Sequence, residues 1–326
     1  MVTVLKCNME DLKNNTITKL NPIIIDAAGL HHRELNARVK LAISECKSGK
    51  FPHIILNNVL GHRYIGDGIK GGVSITVNGT PGNDMAAFMD GPQIEVFGNG
   101  QDGIGNTLNS GRIIIHGDCG DILGYSMRGG EIYVKGNVGW RSGIHIKSYL
   151  DKFPVIVIGG KAGDFLGEYM AGGIIILLGL DMKKEMPADN PGTKAQDVPA
   201  NQDSANQLSA NQDPAIKLYP NAKSREPYYF ERFYTISDGQ AAGNYIGTGM
   251  HGGAIFLKGD IKEYKLGKEV SRLPLDDNDR EILKTYITKY CAYFDFNKSK
   301  IIRQDLKGFI KLAPFSHRPY GKLYSY

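Results

Sequence analysis

The sequence has few cysteines and no cysteine cluster. Four occur in 326 residues, at Cys7, Cys46, Cys119 and Cys291, and no Cys-x-x-Cys motif is present. Zinc sites and locally ligated iron–sulfur clusters use closely spaced cysteines, so neither kind of site is predicted in this chain. Widely separated cysteines are typical of reduced thiols, and we therefore expect a cytoplasmic protein.

Long apolar runs and blocks of like charge are also missing. No stretch approaches the roughly 18 apolar residues of a membrane-spanning helix, and the N-terminus lacks the pattern of a signal peptide. A membrane is therefore not an expected partner. The net charge of +5 is spread along the chain without a basic run. Nucleic acid is not an expected partner either, and no Gly-x-x-x-x-Gly-Lys-(Ser/Thr) phosphate loop occurs.

Glycine, in contrast, is abundant and recurs with a fixed period. The stretch from Gly100 to Gly136 holds two copies of the pattern Gly-x-x-(Leu/Met)-x-(Ser/Gly)-Gly-x-Ile-x-(Ile/Val)-x-Gly. Their closing glycines, Gly117 and Gly136, are 19 residues apart. A fixed period of about 20 residues is typical of a solenoid.

The same register extends in both directions. Closing glycines recur at Gly79, Gly98, Gly117, Gly136, Gly159, Gly179 and Gly259. The residues two positions earlier are all aliphatic: Val77, Val96, Ile115, Val134, Val157, Leu177 and Leu257. Those four positions earlier are aliphatic too: Ile75, Ile94, Ile113, Ile132, Val155, Ile175 and Ile255. A further apolar column comprises Met89, Leu108, Met127, Leu150, Met170 and Met250.

Alternating β-branched residues predict strands with one buried face. A single short strand per repeat cannot bury a core, so each strand must stack on its neighbours. The predicted fold is an all-β, right-handed parallel β-helix of about seven coils with N- and C-terminal α/β capping segments. The handedness follows from the general preference for right-handed crossovers.

Three segments match the pattern Gly-x-Gly-x-x-Gly, namely Gly66–Gly71, Gly98–Gly103 and Gly247–Gly252. In a dinucleotide site this motif opens a helix whose N-terminus receives the pyrophosphate. Here another strand pattern follows each motif, as at Val73–Val77. We therefore interpret these glycines as corners of the coil, where the chain needs positive φ angles.

The repeats divide the chain into five predicted parts. These are an N-terminal α/β cap (1–60), the coils (61–180), a largely disordered insertion (181–238), the last coil (239–260) and a C-terminal helix with its tail (261–326). The cap contains a predicted helix from Arg33 to Lys47, and a second helix is predicted from Asp276 to Phe294. Disorder is expected because Asp189–Ala215 repeats Ala-Asn-Gln with almost no apolar content.

The outward positions of the last coils are apolar as well. They are Ile156, Ile158, Ile176, Leu178 and Phe256, whereas the early coils carry polar or mixed residues there. A strand that is apolar on both faces is covered on both faces. The cover is either one of the chain's own helices or a second protein.

Coil five is irregular, because Trp140, Arg141, Ser142, His145 and Tyr149 interrupt the glycine pattern. One interpretation is a loop that bulges from a corner. The other is a docking loop, since Trp, Tyr and Arg are enriched at interface hot spots.

Few residues suggest chemistry. His31, His32 and Glu34 could bind a metal, but no third ligand has suitable spacing and solvated histidines explain them as well. Cys7 could be a nucleophile only after removal of six residues. His317 and Arg318 could clamp an anion, or belong to a tail strapped over the coil. We therefore assign no catalytic, cofactor-binding or metal-binding residue.

Two segments carry a family resemblance, Ile25–Asn36 as a lead-in and Gly124–Val138 as the core repeat. With the repeat as a whole, they resemble the third domain of the large subunit of glutamate synthase, the GXGXG β-helix family. The resemblance covers about residues 20–180 and 240–260. One of the subunits of formylmethanofuran dehydrogenase and one of N-methylglutamate synthase look similar for the same reason.

The resemblance implies a structural subunit without cofactors of its own. In glutamate synthase, glutamine hydrolysis belongs to an N-terminal-nucleophile domain and imine reduction to an FMN barrel with an iron–sulfur cluster. The expected partners are therefore glutaminase-type and FMN/iron–sulfur subunits of a split glutamate synthase-type complex. Alternatively, the chain is a scaffold like that of formylmethanofuran dehydrogenase, with molybdenum or tungsten partners, or like that of N-methylglutamate synthase. The insertion and the long tail depart from the compact family domain.

Overall fold

The computed structural model describes residues 22–46, 51–180, 240–296 and 306–315. The strands in chain order are β1 (Ile23–Asp26), β2 (His53–Leu60), β3 (Ser74–Thr80), β4 (Asp90–Phe97), β5 (Ser110–Ile115), β6 (Glu131–Val134), β7 (Val155–Ile158), β8 (Ala171–Leu177), β9 (Gly252–Lys258), β10 (Val270–Leu273) and β11 (Phe309–Pro314). The helices are α1 (His32–Ser44), the 3₁₀ turn Glu263–Lys265 and α2 (Asp277–Phe294).

The described strands form one sheet in the order β1-β2-β3-β4-β5-β6-β7-β8-β9-β11-β10. Strands β1 to β9 pair in parallel, each with the next along the chain. This arrangement confirms the parallel β-solenoid. The predicted count of seven coils was slightly too high. Six turns separate the seven repeat strands β3 to β9, so the solenoid has about six turns.

The inner face of the sheet is built from ladders of aliphatic residues. In register, Ile94 lies beside Ile113, and Ile113 beside Ile132. All three side chains are completely buried. Stacking one rung on the next removes both sides of every inner residue from water, which a single 19-residue coil could not do.

Strand β7 shifts the predicted register by one residue. Ile156 and Ile158 pair with Ile132 and Val134 and belong to the inner core. Val155 and Val157 point outward, so the sequence prediction that placed them in the inner columns is wrong. The glycine pair 159–160 explains the slip: the N–H of Gly160, not of Gly159, bonds to the Gly136 carbonyl oxygen.

A second correction concerns the apolar column at the other corner. The predicted member Leu150 is 85% exposed, whereas Ile146 is completely buried and joins the inner core. The extra residues of coil five therefore follow Ile146 and leave the inner column unbroken. They form a loop, Lys147–Phe153, in which the backbones of Tyr149 and Lys152 bond to each other.

The outer wall of the late coils is covered by α2. Its apolar residues Leu283, Ile287 and Tyr290 pack against outward residues of β7 to β9. The helix begins with a capping box, in which Asp276 and Asp279 each accept the other's backbone N–H. The predicted helix is thus confirmed, and of the two predicted covers the chain's own helix is the one observed.

Helix α1 packs beside β1 and is shorter than predicted. It buries Leu35, Val39 and Ala42, and it ends at Ser44 rather than Lys47. Its end tightens because the N–H of Cys46 bonds to the carbonyl oxygen of Ile43. The predicted insertion 181–238 lies outside the described residues. Among the helices that are described, none has the length and apolarity to cross a membrane.

Candidate functional site

Each coil turns its corner through three alternating residues with positive φ. In one coil these are Gly103, Gly105 and Thr107, with φ angles of 70°, 71° and 52°. Ile122, Gly124 and Ser126 repeat the geometry 19 residues later. Non-glycine residues rarely adopt this conformation, and its recurrence explains the spacing of the glycines. No helix N-terminus follows these corners in the described chain, so the corner interpretation is confirmed.

The middle residue of each corner faces the inner core. A Cβ atom at Gly105 would lie 2.6 Å from Cδ1 of Ile132, and one at Gly124 would lie 2.6 Å from Cδ1 of Ile156. The isoleucine ladder therefore occupies the space that a side chain would need. Ala86 fills the same position in one coil, with φ 63° and no exposure, so that coil accommodates a methyl group.

Polar side chains link successive coils at two further positions. The side-chain oxygen of Asn99 accepts the N–H of Asp118 at 2.9 Å, and Asp118 accepts the N–H of Asn137 at 2.6 Å. Asp102 and Asp121 form a second ladder, in which each accepts an N–H from the coil that follows. These carboxylates and amides are thus used to join the rungs of the solenoid.

The predicted histidine cluster does not converge. His31 caps α1 by accepting the N–H of Arg33 at 3.4 Å, and Glu34 pairs with Arg38 at 2.6 Å. Among the described residues no group of three side chains could hold a metal ion. Cys7, His317 and Arg318 lie outside the described residues.

The described cysteines do not form a reactive centre. Cys119 and Cys291 are buried, in the inner core and beneath α2 respectively. Burial raises the pKa of Cys119 well above its usual range, and the nearby Asp118 carboxylate adds to the increase. A thiol held in its neutral form is a poor nucleophile.

Sequence reasoning missed a polar network between the sheet and α2. Glu131 at the start of β6 accepts hydrogen bonds from Lys289 Nζ at 2.6 Å, Tyr133 Oη at 2.9 Å and Arg112 Nε at 3.3 Å. Arg112 also donates Nη1 to Gln93 at 3.3 Å, and its guanidinium lies 5.4 Å from the ring centre of Tyr293. This network joins three strands to the helix.

The network shifts several pKa values. Burial favours the neutral form of Glu131 most strongly, but the hydrogen bond and charge of Lys289, with Arg112, outweigh it and lower the pKa. Burial raises the pKa of Tyr133 well above its usual range, and that of Tyr293 to about 12. At neutral pH, Glu131 is therefore an anion between two cations, and both tyrosines are neutral.

A cleft of about 370 Å³ opens at the start of β4, β5 and β6. Its lining consists of Gly91, Pro92, Gln93, Gly111, Arg112, Gly130, Glu131 and Phe153. The outward-facing positions of the repeat carry the polar members, a signal that was visible in the sequence as the variable residue before each conserved isoleucine. Phe153 comes from the coil-five loop, which the repeat pattern could not place. The cleft can bind a small molecule, but it brings no nucleophile and base together.

The irregular coil five has a regular corner. Arg141 and His145 occupy the same positive-φ positions as in the other coils, so the expectation that they interrupt the pattern is wrong. Ser142 is completely buried, whereas Trp140 and Tyr149 are more than half exposed. Arg141 pairs with Glu168 at 2.8 Å and lies 5.0 Å from the ring centre of Phe165. Docking through the exposed aromatic residues stays a prediction.

Comparisons with known proteins agree with the architecture. A family model described as the GXGXG motif matches residues 32–188. An uncharacterized protein of Methanocaldococcus jannaschii, MJ1350, is 39% identical over 310 residues. The alignment covers 94% of this chain and 97% of that protein.

Proposed function

Because the chain belongs to the GXGXG-motif family, we propose that it is a non-catalytic structural subunit of a split glutamate synthase-type complex. The domain that it resembles spaces the glutaminase and synthase centres of glutamate synthase. In a split enzyme, that role falls to a separate polypeptide. The glutamine-dependent chemistry would then take place on partner subunits that carry the nucleophile, the FMN and the iron–sulfur cluster.

The observation that carries this proposal is how the polar groups of the solenoid are used. The ionisable groups with the most perturbed environments, Glu131, Tyr133 and Tyr293, hold α2 against the sheet. The aspartates Asp118 and Asp121 join successive coils. Perturbed groups in enzymes serve chemistry in many active sites, but here they serve attachment, as expected of a rigid spacer.

The solenoid also offers a surface suited to protein contacts. Phe165 and Tyr245 stack at 4.8 Å, and His145 and Tyr169 stack at 5.2 Å, along the corner face of the late coils. Aromatic side chains with a neighbouring arginine are typical of interface hot spots. This corner face is the surface that we propose for a partner protein.

Complex formation provides the test. The full chain is purified alone and with the glutaminase-type and FMN/iron–sulfur subunits encoded in the same genome, and the species are separated by size exclusion with light scattering. We expect a stable complex that contains all three chains, and we expect the isolated chain to lack flavin, iron and glutaminase activity. Trp140→Ala should weaken the complex, whereas Phe51→Ala, a matched exposed aromatic residue elsewhere, should not.

Two outcomes would contradict the proposal. Stoichiometric flavin or iron in the isolated chain would make it a catalytic component. Failure to bind those subunits, together with assembly onto a molybdenum- or tungsten-containing protein, would favour the formylmethanofuran dehydrogenase-type scaffold instead.

A further inference from the structure

The coil-five loop Lys147–Phe153 extends back across the earlier coils. Lys152 pairs with Asp90 of β4 at 3.3 Å, although 62 residues separate them in sequence. Asp90 is itself fixed by the hydroxyl of Ser110 at 2.6 Å. The hydrogen bonds between the backbones of Tyr149 and Lys152 close the loop on itself. The one irregular coil of the repeat is therefore anchored over the start of β4 to β6, where it places Phe153 on the cleft.

The cleft exists because its floor lacks side chains. Gly91, Gly111 and Gly130 stand in consecutive coils with φ angles of 117°, 100° and 80°. A Cβ atom at any of them would collide with backbone of the coil before it, for example 2.8 Å from the Gly71 carbonyl oxygen at Gly91. Close backbone contact thus requires glycine here, and the result is a strip without side chains beside Gln93, Arg112 and Glu131.

Arg112 is the cleft residue that can bind a charged ligand. Its Nε–H and one Nη1–H bond to Glu131 and Gln93, both at 3.3 Å. Among the described residues its remaining N–H groups have no acceptor, and its side chain is 29% exposed. Arginine presents such groups in a planar fork that matches a carboxylate.

The charge balance leaves Arg112 available. Lys289 lies closer to Glu131 than Arg112 does, at 2.6 Å against 3.3 Å. Two cations therefore face one carboxylate, which leaves a single net positive charge at the floor of the cleft. The next carboxylate along the wall, Glu95, is bound by His116 at 2.9 Å and does not line the cleft.

We propose that this cleft binds a small organic monocarboxylate, with the carboxylate on Arg112 and the apolar part against Phe153. A single guanidinium with one net charge suits a monoanion, whereas a phosphate dianion would call for further donors or cations. Phe153 is 44% exposed and, with Pro92, supplies an apolar wall. The inference concerns a ligand site on this chain and goes beyond its proposed role as a spacer.

The test uses benzoate as the probe and benzamide as its neutral counterpart of the same shape. Binding to the isolated full chain is followed through the Nε–Hε signals of ¹⁵N-labelled arginine by NMR, at constant ionic strength. We expect benzoate to shift the Arg112 signal in a saturable way and benzamide to bind at least about tenfold more weakly, as expected for loss of a charge-assisted hydrogen bond. Inorganic phosphate should also bind more weakly than benzoate.

Three variants identify the site. Arg112→Gln should weaken benzoate binding at least about tenfold, because the charged fork is lost. Phe153→Ala should weaken it while leaving the fold intact, since the side chain is half exposed. Arg38→Gln is the matched control, because Arg38 also pairs with a carboxylate but lies on α1.

The outcomes separate cleanly. A saturable Arg112 shift that Phe153→Ala weakens and Arg38→Gln leaves unchanged supports the site, even if Arg112→Gln fails to fold. The proposal is overturned if benzoate does not shift Arg112, if benzamide binds equally well, or if Phe153→Ala has no effect. None of these results depends on complex formation, so they are independent of the proposed function.

Discussion

Strands β4 and β8 carry similar residues on their inner faces and different residues on their outer faces. Ile94 and Val96 of β4 and Ile175 and Leu177 of β8 are all completely buried in the inner core. On the outer face, β4 presents Glu95 and Phe97 in partly exposed positions, whereas Ile176 of β8 lies buried beneath α2. The repeat determines the inside of the solenoid, and whatever packs on each coil determines its outside.

The largest expected effect is a charge on the inner face. Val134→Asp should prevent folding, because an unpaired carboxylate would lie inside the coil. The control is Thr76→Asp, which places the same carboxylate on the outer face of β3, where Thr76 is partly exposed. Circular dichroism and thermal melting decide the outcome. Folded Val134→Asp protein with wild-type melting would show that the inner register is wrong.

Cavities on the two faces sharpen the comparison. Ile132→Ala in the inner core and Ile287→Ala beneath α2 should each cost about 2–5 kcal/mol, since both side chains are completely buried. Native-state hydrogen exchange should distinguish them. We expect Ile287→Ala to accelerate exchange in α2 while the amides of β3 to β6 stay protected, because α2 opens as a separate unit. Equal acceleration in the helix and the strands would mean that the two layers unfold together.

The corner glycines allow a smaller, better matched comparison. Gly124 and Gly68 have φ angles of 66° and 65°, but only Gly124 has a core side chain in the way of a Cβ atom. Gly68→Ala should cost about 1–2 kcal/mol for the left-handed conformation. Gly124→Ala should cost about 1–3 kcal/mol more, because it also overpacks the core. Urea denaturation measures both, and equal costs would show that Ile156 yields to the methyl group as the core around Ala86 does.

The smallest expected effect is pH-dependent attachment of α2. Because the pKa of Glu131 is lowered in the folded chain, its contribution is fully present above its ordinary pKa of 4.5 and is lost as the pH falls through the folded value. Glu131→Gln should be less stable than the wild type at pH 7, by about 1 kcal/mol since the pair is partly exposed. The two proteins should converge near pH 3. A difference that does not change between pH 7 and pH 3 would rule out this ionic contribution.

Much of this fold could be predicted because one period governs most of the chain. The aliphatic columns identified six of the seven repeat strands in correct register, and the apolar outer positions indicated a covered wall. The errors at Val155, Val157 and Leu150 have a common cause, since coil five contains extra residues and spacing alone cannot tell where they are inserted. Two glycines at 159–160 made either register acceptable.

The cleft could not be predicted from the repeat. It depends on a loop that crosses back to β4 through the Lys152–Asp90 pair, and on Lys289 of α2 reaching Glu131. Both contacts join residues far apart in sequence with no shared period. A long-range pair of single charges leaves no local pattern, whereas an internal ladder repeats its pattern in every coil.

Reconstituted activity tests the central claim most directly. Glutamine-dependent glutamate formation is measured with the glutaminase-type and FMN/iron–sulfur subunits, with and without this chain. The account predicts that the separate half-reactions proceed without the chain, whereas their coupling, measured as glutamate formed per glutamine hydrolysed, requires it. Adding the Val134→Asp variant should not restore coupling. Full coupling in the absence of the chain would contradict its role as the structural subunit.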